Sequence, residues 1–248
     1  MMKTKHAKPI KESTAKVIQR APAKVIKESP ATLDEAAFAR SLRHLSERDP
    51  DLARILHEHG RPQMWAREPG FATLIYIILE QQVSLASAKA VFDRLTAAVE
   101  GPLTAARFLA LDDATLGSAG FSRQKTAYGK NIAALIEEGR LDLDALGAAD
   151  DEAVRSTLLG IKGVGPWTTE IYLLRALNRP DAWPGGDLAL AVAVQEIRRL
   201  PLRPTPLELE TIAGPWRPWR AVAARLLWQY YLNRPARRPE GDRTARTA

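Results

Sequence analysis

Three residue types at fixed spacing are the ones that could do chemistry in this 248-residue chain: glycine, tryptophan and aspartate. Gly163, Val164 and Gly165 lie between two runs of helical periodicity, and Pro166, Trp167, Thr168 and Thr169 follow directly. Asp187, preceded by Gly185 and Gly186, comes twenty residues after Trp167. Two glycines one residue apart permit positive φ and leave no Cβ in the path of a large ligand. They also expose backbone N–H groups at a helix N-terminus, where the dipole favours an anion such as phosphate. Thr168 and Thr169 could add hydroxyl donors, and Lys162 a positive charge. A plain helix–helix turn explains an isolated Gly-x-Gly equally well. Asp187 has two readings as well, because it directly precedes the apolar run Leu188–Val194 and would make a good N-cap.

Composition narrows the chemistry. The chain has no cysteine, which excludes disulfides, thiolate zinc sites, cysteine nucleophiles and cysteine-ligated iron–sulfur clusters. His6, His44, His57 and His59 are the only histidines, so no catalytic metal is expected. No apolar run reaches the roughly eighteen residues of a membrane span, and the N-terminus lacks the apolar segment of a secretory signal. A cytoplasmic location, with no membrane partner, is the expectation.

The net charge of +7 is unevenly placed. Residues 1–30 hold eight Lys/Arg against two Glu, and residues 234–248 five Arg against two acids, while 31–233 carry 23 basic and 25 acidic residues. The positive charge therefore sits on the ends. Such ends favour a polyanion through counterion release, although they could equally serve solubility alone. The first thirty residues are repetitive: Ala15–Ile18 recurs as Ala23–Ile26. This lysine-rich, aromatic-free stretch cannot bury enough surface to fold by itself and reads as a disordered basic arm. A second disordered basic tail is expected over 235–248, which leaves one domain over 31–234.

Between the two ends nearly everything reads helical. A helix opens at Thr32 or Asp34 and runs to about Glu47, with Ala36, Ala37, Phe38 and Leu42 on its inner side. Asp49 and Pro50 then begin a helix that Gly60 ends. Phe71–Gln82 has the length and apolarity of a buried helix, and Ser84 or Ser87 begins another that runs to Val99. Further helices are expected near 103–110, 112–118, 122–139, 150–159, 166–178, 187–199, 206–213 and 218–233. The hairpin spans 150–178. No βαβ alternation appears, so the fold class is all-α, with two helical subdomains flanking a cleft.

Hydrophobic–x–Gly–Val–Gly–x–x–Thr between two helices resembles the helix-hairpin-helix phosphate-binding motif. Together with Asp187, it resembles the helix-hairpin-helix DNA glycosylase superfamily (HhH-GPD), and within it the type of the bacterial 3-methyladenine DNA glycosylase II. The resemblance extends over about residues 33–233. Leu79-Glu80-Gln81-Gln82-Val83-Ser84 is similar to that family's Gln-x-Val-Ser segment, Gly120–Thr126 to the start of its middle helix, and Trp216–Arg220 with Leu226–Trp228 to its C-terminal helix. One departure is Lys162, where the family's hairpin usually has proline. The β-rich N-terminal domain of the longer bacterial enzymes is also expected to be missing, with the basic arm in its place.

The resemblance implies a monofunctional glycosylase of base excision repair. It would act as a monomer on double-stranded DNA with a damaged base, and hydrolyse the N-glycosidic bond of alkylated purines such as 3-methyladenine. Its alternatives are excision of uracil, hypoxanthine or oxidised purines, or DNA binding without catalysis. Asp187 would be the catalytic carboxylate, ionised, stabilising an oxocarbenium-like sugar. Asparagine caps a helix about as well as aspartate, so Asp187→Asn is expected to lose activity at near-native stability. Trp167 stands where the strand-cleaving members carry a Schiff-base lysine, so no lyase activity is implied. Its indole would stack on a cationic base, worth about 0.5–2 kcal/mol. Trp219, Trp216, Tyr76 and Trp65 are the further pocket candidates. Gly163, Val164, Gly165, Thr168, Lys162, Gln81, Gln82 and Ser84 would meet DNA, with Gln82 filling the gap left by the extruded nucleotide. No cofactor is implied beyond a monovalent cation at the hairpin.

Overall fold

Most helices begin where a short polar side chain satisfies an orphan backbone donor. The computed structural model describes residues 32–234, so the basic arm and tail lie outside the described residues. Asp34 accepts from Ala37 N at 2.6 Å and opens α1 (Glu35–Arg48). Asp49 accepts from the amides of Asp51 and Leu52 at the head of α2 (Pro50–His59), with Pro50 at its first position. After α3 (Phe71–Glu80), Ser84 caps α4 (Leu85–Ala97). The middle of the chain forms α5 (Ala105–Leu109), α6 (Asp113–Ala119), α7 (Arg123–Glu137) and α8 (Leu143–Ala148). Then come α9 (Asp151–Leu159), α10 (Pro166–Arg175), α11 (Leu188–Ile197), α12 (Pro206–Ala213), a 3-10 turn over Gly214–Trp216, and α13 (Arg220–Asn233). Among the described residues there is no strand, and no helix is long and apolar enough to cross a membrane.

The packing divides the helices into two groups. α1, α2, α11, α12 and α13 pack on one another, which brings the two ends of the domain together; α3 to α7 form the other group. The α9–α10 hairpin packs on α3 and is tied to the first group where Arg225 of α13 donates to Leu174 O of α10. α3 is apolar on all sides because it is buried on all sides. Leu74, Ile75, Ile77, Ile78 and Leu79 are each at most 2% exposed, and burying each such side chain stabilises the fold by about 1.5–3 kcal/mol. Two expectations are corrected. Ala36 is exposed, because the buried stripe of α1 runs through Ala37, Phe38, Ser41, Leu42 and Leu45. α8 was not foreseen; its two buried leucines, Leu143 and Leu146, span less than one helical repeat and leave too little periodicity to read.

Charged side chains inside the fold also tie the groups together. Arg175 of α10 meets Glu80 of α3 at 2.6 Å. Arg225 of α13 is fully buried without a carboxylate partner, and donates instead to the carbonyls of Met64 (2.7 Å), Leu174 (2.8 Å) and Ala221 (3.0 Å). Burial pushes its guanidinium down to about 9, still charged at neutral pH. Three backbone oxygens from three elements replace the water that this charge has lost.

Candidate active site

Asp150 caps α9 through Ala153 N, and the chain turns through Gly163–Gly165 into α10, with Pro166 at its first position. Only Gly163 uses positive φ (+96°); Gly165 has φ −100°, which any residue adopts. A Cβ at Gly163 would stand 2.3 Å from Tyr128 Cγ, so the turn is pressed against α7. A Cβ at Gly165 would meet no protein atom within 4 Å, so its outer side is open. Val164 N bonds back to Ile161 O, whereas the amides of Gly163 and Gly165 have no acceptor among the described residues. These two free donors at a helix N-terminus suit an anion. Backbone carbonyls are what the turn offers to a monovalent cation. Those of Ile161 and Gly163 already accept hydrogen bonds, so such an ion would share them.

Gln81 fixes the turn from behind. Its Nε2 donates to Gly163 O at 3.0 Å and to Thr168 Oγ1 at 2.9 Å. Lys125 in turn holds the end of α3, donating from Nζ to Leu79 O (2.8 Å) and Gln81 O (3.0 Å), and its burial lowers the ammonium below its ordinary value. Gln82, next in the chain, is exposed with φ +58°. The two neighbours therefore do different work. Gln81→Ala is expected to cost about 1–3 kcal/mol, because it leaves a buried hydroxyl and a carbonyl without their donor. Gln82→Ala should change stability by less than about 0.5 kcal/mol. Urea unfolding of both variants checks this.

Asp187 caps α11 and does more than cap. Its Oδ1 accepts from Leu190 N at 3.0 Å and from Trp228 Nε1 at 3.2 Å, and its Oδ2 from Trp167 Nε1 at 2.9 Å. All three partners are donors, which matches a carboxylate. Trp167 is two residues past Gly165, so the open side of the turn and the carboxylate are held at a set separation by the first turn of α10. The loop before Asp187 is also fastened. Glu170 of α10 accepts from Trp183 N at 2.8 Å while paired with Arg155 of α9 at 2.6 Å. Asp181 accepts from Arg220 Nε at 2.8 Å and from Arg217 at 2.7 Å. Asp187, Trp167 and Trp228 are each half-buried, so solvent reaches the cluster they form.

The expected residues are not all brought together. Trp65 meets this cluster through an edge contact with Trp228, ring centres 6.1 Å apart. Trp216 and Trp219 do not line it. Trp216 is 2% exposed, donates to Asp49 Oδ2 at 2.7 Å and packs on Trp183, while Trp219 is 4% exposed inside the core. Large aromatics bury where area removed from water is greatest, and both sit where α13 and the 3-10 turn close over the core. Tyr76 is buried between α3 and α4, edge-on to Phe92 and faced by Arg67 at 3.9 Å. Thr168 is 2% exposed and turned inward to Gln81, so it offers no hydroxyl to a ligand outside, and Thr169 is buried with it. Lys162 is exposed; Ser84 is exposed with its Oγ engaged as the α4 cap. Trp228 was missed as a site residue. A signal was present: Trp228 closes the Leu226–Trp228 stretch that resembles the family's C-terminal helix.

The glycine turn with its free amides, Trp167 and the carboxylate beside them fall within residues that match a family model, and Trp228 lies ten residues beyond its end. That model, the HhH-GPD superfamily base excision DNA repair protein, matches residues 75–218. The chain belongs to this superfamily. Among HhH-GPD relatives, the DNA-3-methyladenine glycosylase of Bacillus subtilis is 32% identical over 106 residues, 43% of this chain and 35% of that protein. A putative DNA-3-methyladenine glycosylase of the same organism is 28% identical over 198 residues, 76% of this chain and 67% of its own length. The chain thus spans about a third of one curated relative and two thirds of the other. Among solved HhH-GPD structures, the 3-methyladenine DNA glycosylase Mag1 of Schizosaccharomyces pombe, in complex with abasic DNA, superposes with a TM-score of 0.73 at 28% identity. That match covers 77% of this chain and 95% of Mag1.

Proposed function

We propose that this protein is a monofunctional DNA glycosylase that extrudes alkylated purines such as 3-methyladenine from duplex DNA and hydrolyses their N-glycosidic bond. The observation that carries the reading is Asp187, held by two indole N–H groups beside a turn whose free amides suit a phosphate. The strand would lie with a phosphate at Gly163 and Gly165, and Gln82 would enter the duplex in place of the extruded nucleotide. The bond from C1′ to the base nitrogen breaks with its electron pair leaving on the base. An alkylated purine already carries positive charge and departs neutral without prior protonation. The positive charge that develops on the sugar is stabilised by Asp187 and ends when water bonds to C1′ and gives up a proton. Oδ1 already takes two donors, while Oδ2 takes one. Oδ2 therefore keeps a lone pair for the sugar or the attacking water.

Among the described residues no lysine amine contacts Asp187, whose donors are one backbone amide and two indoles. Trp167 occupies the position after the hairpin, and Lys125 is committed to two carbonyls. The names of the relatives from Bacillus subtilis and Schizosaccharomyces pombe support the alkylpurine substrate. The test is to incubate the full chain with duplexes carrying 7-methylguanine, 3-methyladenine, hypoxanthine, uracil or 8-oxoguanine, with and without alkali. Breaks at the methylated purines only after alkali are the expected result. Breaks without alkali would overturn the monofunctional assignment, and release of uracil or 8-oxoguanine alone would overturn the substrate class.

A further inference from the structure

We propose that Trp65, on the connection between α2 and α3, is a specificity-determining wall of the base recess: its indole face receives the extruded purine. The inference rests on the excision reading above and adds to it a residue from a segment outside the hairpin and outside α11. The backbone points to it first. Trp65 has φ +49°, a left-handed conformation that a bulky side chain rarely adopts and that glycine or asparagine would fill at less cost. Such a conformation persists only where the surroundings over-determine it. Here they do so on both sides. Met64 O is gripped by the buried Arg225 at 2.7 Å, and Arg67 N donates to Arg175 O at 2.8 Å. The Arg67 guanidinium lies over the Tyr76 ring at 3.9 Å. The strap that carries Trp65 is thus fastened to α13, α10 and α3 at once.

What this fastening achieves is not burial. Trp65 stays half-exposed, whereas tryptophans that serve the core of this protein, such as Trp216, are nearly inaccessible. It touches Trp228 edge-on, with interplanar angle 64°, and Trp228 is the residue whose N–H holds Asp187 Oδ1. Trp167 and Trp228 have spent their N–H groups on the carboxylate. The Trp65 N–H makes no hydrogen bond among the described residues. Trp65 therefore brings a partly exposed ring and an indole N–H without a partner among the described residues to the side of Trp228, the residue that holds Asp187. A purine, with its large flat ring and acceptor edge, uses both better than a pyrimidine does.

Two variants at this position separate the roles. Trp65→Phe keeps an aromatic face; Trp65→Leu keeps apolar bulk against Trp228 but offers nothing to stack on. Single-turnover release of 7-methylguanine and binding to a duplex with a tetrahydrofuran abasic analogue, which has no base, are measured for both. The expected result is a loss of about tenfold or more in the single-turnover rate constant for Trp65→Leu, by the usual cost of a lost base–aromatic stack. Trp65→Phe should stay near the unaltered chain, and abasic-duplex affinity should hold in both. Equal excision by the two variants would overturn the proposal. So would a parallel fall in abasic-duplex binding, which would make Trp65 a support of the fold. An unaltered chain that releases no base from any duplex would instead sink the excision reading itself.

Discussion

Replacing Asp187 by asparagine is expected to reduce base release by about a thousandfold or more, the scale set by removing one preorganised charge-stabilising group. The carboxamide has almost the same shape, so binding to abasic-analogue DNA should persist. Sequence considerations alone suggest that the fold would hardly notice, because asparagine is a good N-cap. The structure changes that expectation. Asp187 accepts on both oxygens, from Leu190 N and Trp228 Nε1 on one and from Trp167 Nε1 on the other. An amide nitrogen must replace one oxygen, and wherever it is placed a donor then faces a donor. The variant should lose about 1–3 kcal/mol of stability along with its activity. Thermal unfolding and single-turnover excision, measured on the same sample, check both halves. Excision within tenfold of the unaltered chain would remove Asp187 from the chemistry.

Gly163→Ala should be the most damaging small substitution in the hairpin, and Gly165→Ala a nearly silent one for the fold. At Gly163 two costs coincide. A Cβ in the left-handed region costs about 1–2 kcal/mol, and the same atom would lie 2.3 Å from Tyr128 Cγ, so the ring or the turn must move. Together they amount to about 3 kcal/mol or more, with displacement of the amides that would face phosphate. At Gly165 the conformation is ordinary and the space is open, so stability should stay within about 1 kcal/mol, the stiffer unfolded chain offsetting alanine's poorer fit as the N-cap of α10. Its methyl group would stand where a phosphate approaches, and affinity for duplex DNA should fall by about tenfold, the equivalent of roughly 1.4 kcal/mol. Urea unfolding and a binding titration separate the two. Normal DNA binding by Gly165→Ala would move the phosphate away from this turn.

The hairpin was legible in the chain because its requirements are local. A capping aspartate at 150 or 151, glycines that permit positive φ and a proline at the first helical position are each conditions on a few neighbouring residues, and the structure selects Asp150 and Gly163. The same holds for Asp49, and at two other helix starts the structure selects Asp34 over Thr32 and Ser84 over Ser87. What could not be read was which face of an element would meet which partner. Thr168 follows the turn and carries a donor, yet it points to Gln81, 87 positions earlier. Trp216 and Trp219 share a residue type with Trp228, and only the last reaches the carboxylate.

By itself, then, the order of residues determined an all-helical domain, the glycine turn and the carboxylate with its neighbouring indole. Capping, backbone conformation and hydrophobic period are short-range properties written within a few positions. Tertiary structure alone decided that α13 meets the start of α11 through Trp228 and that a strap near residue 65 packs on that same tryptophan. Those contacts join residues that are 41 to 163 positions apart. They arise because burying apolar surface is non-directional: it selects the packing that removes most area from water, and no local pattern names the partner.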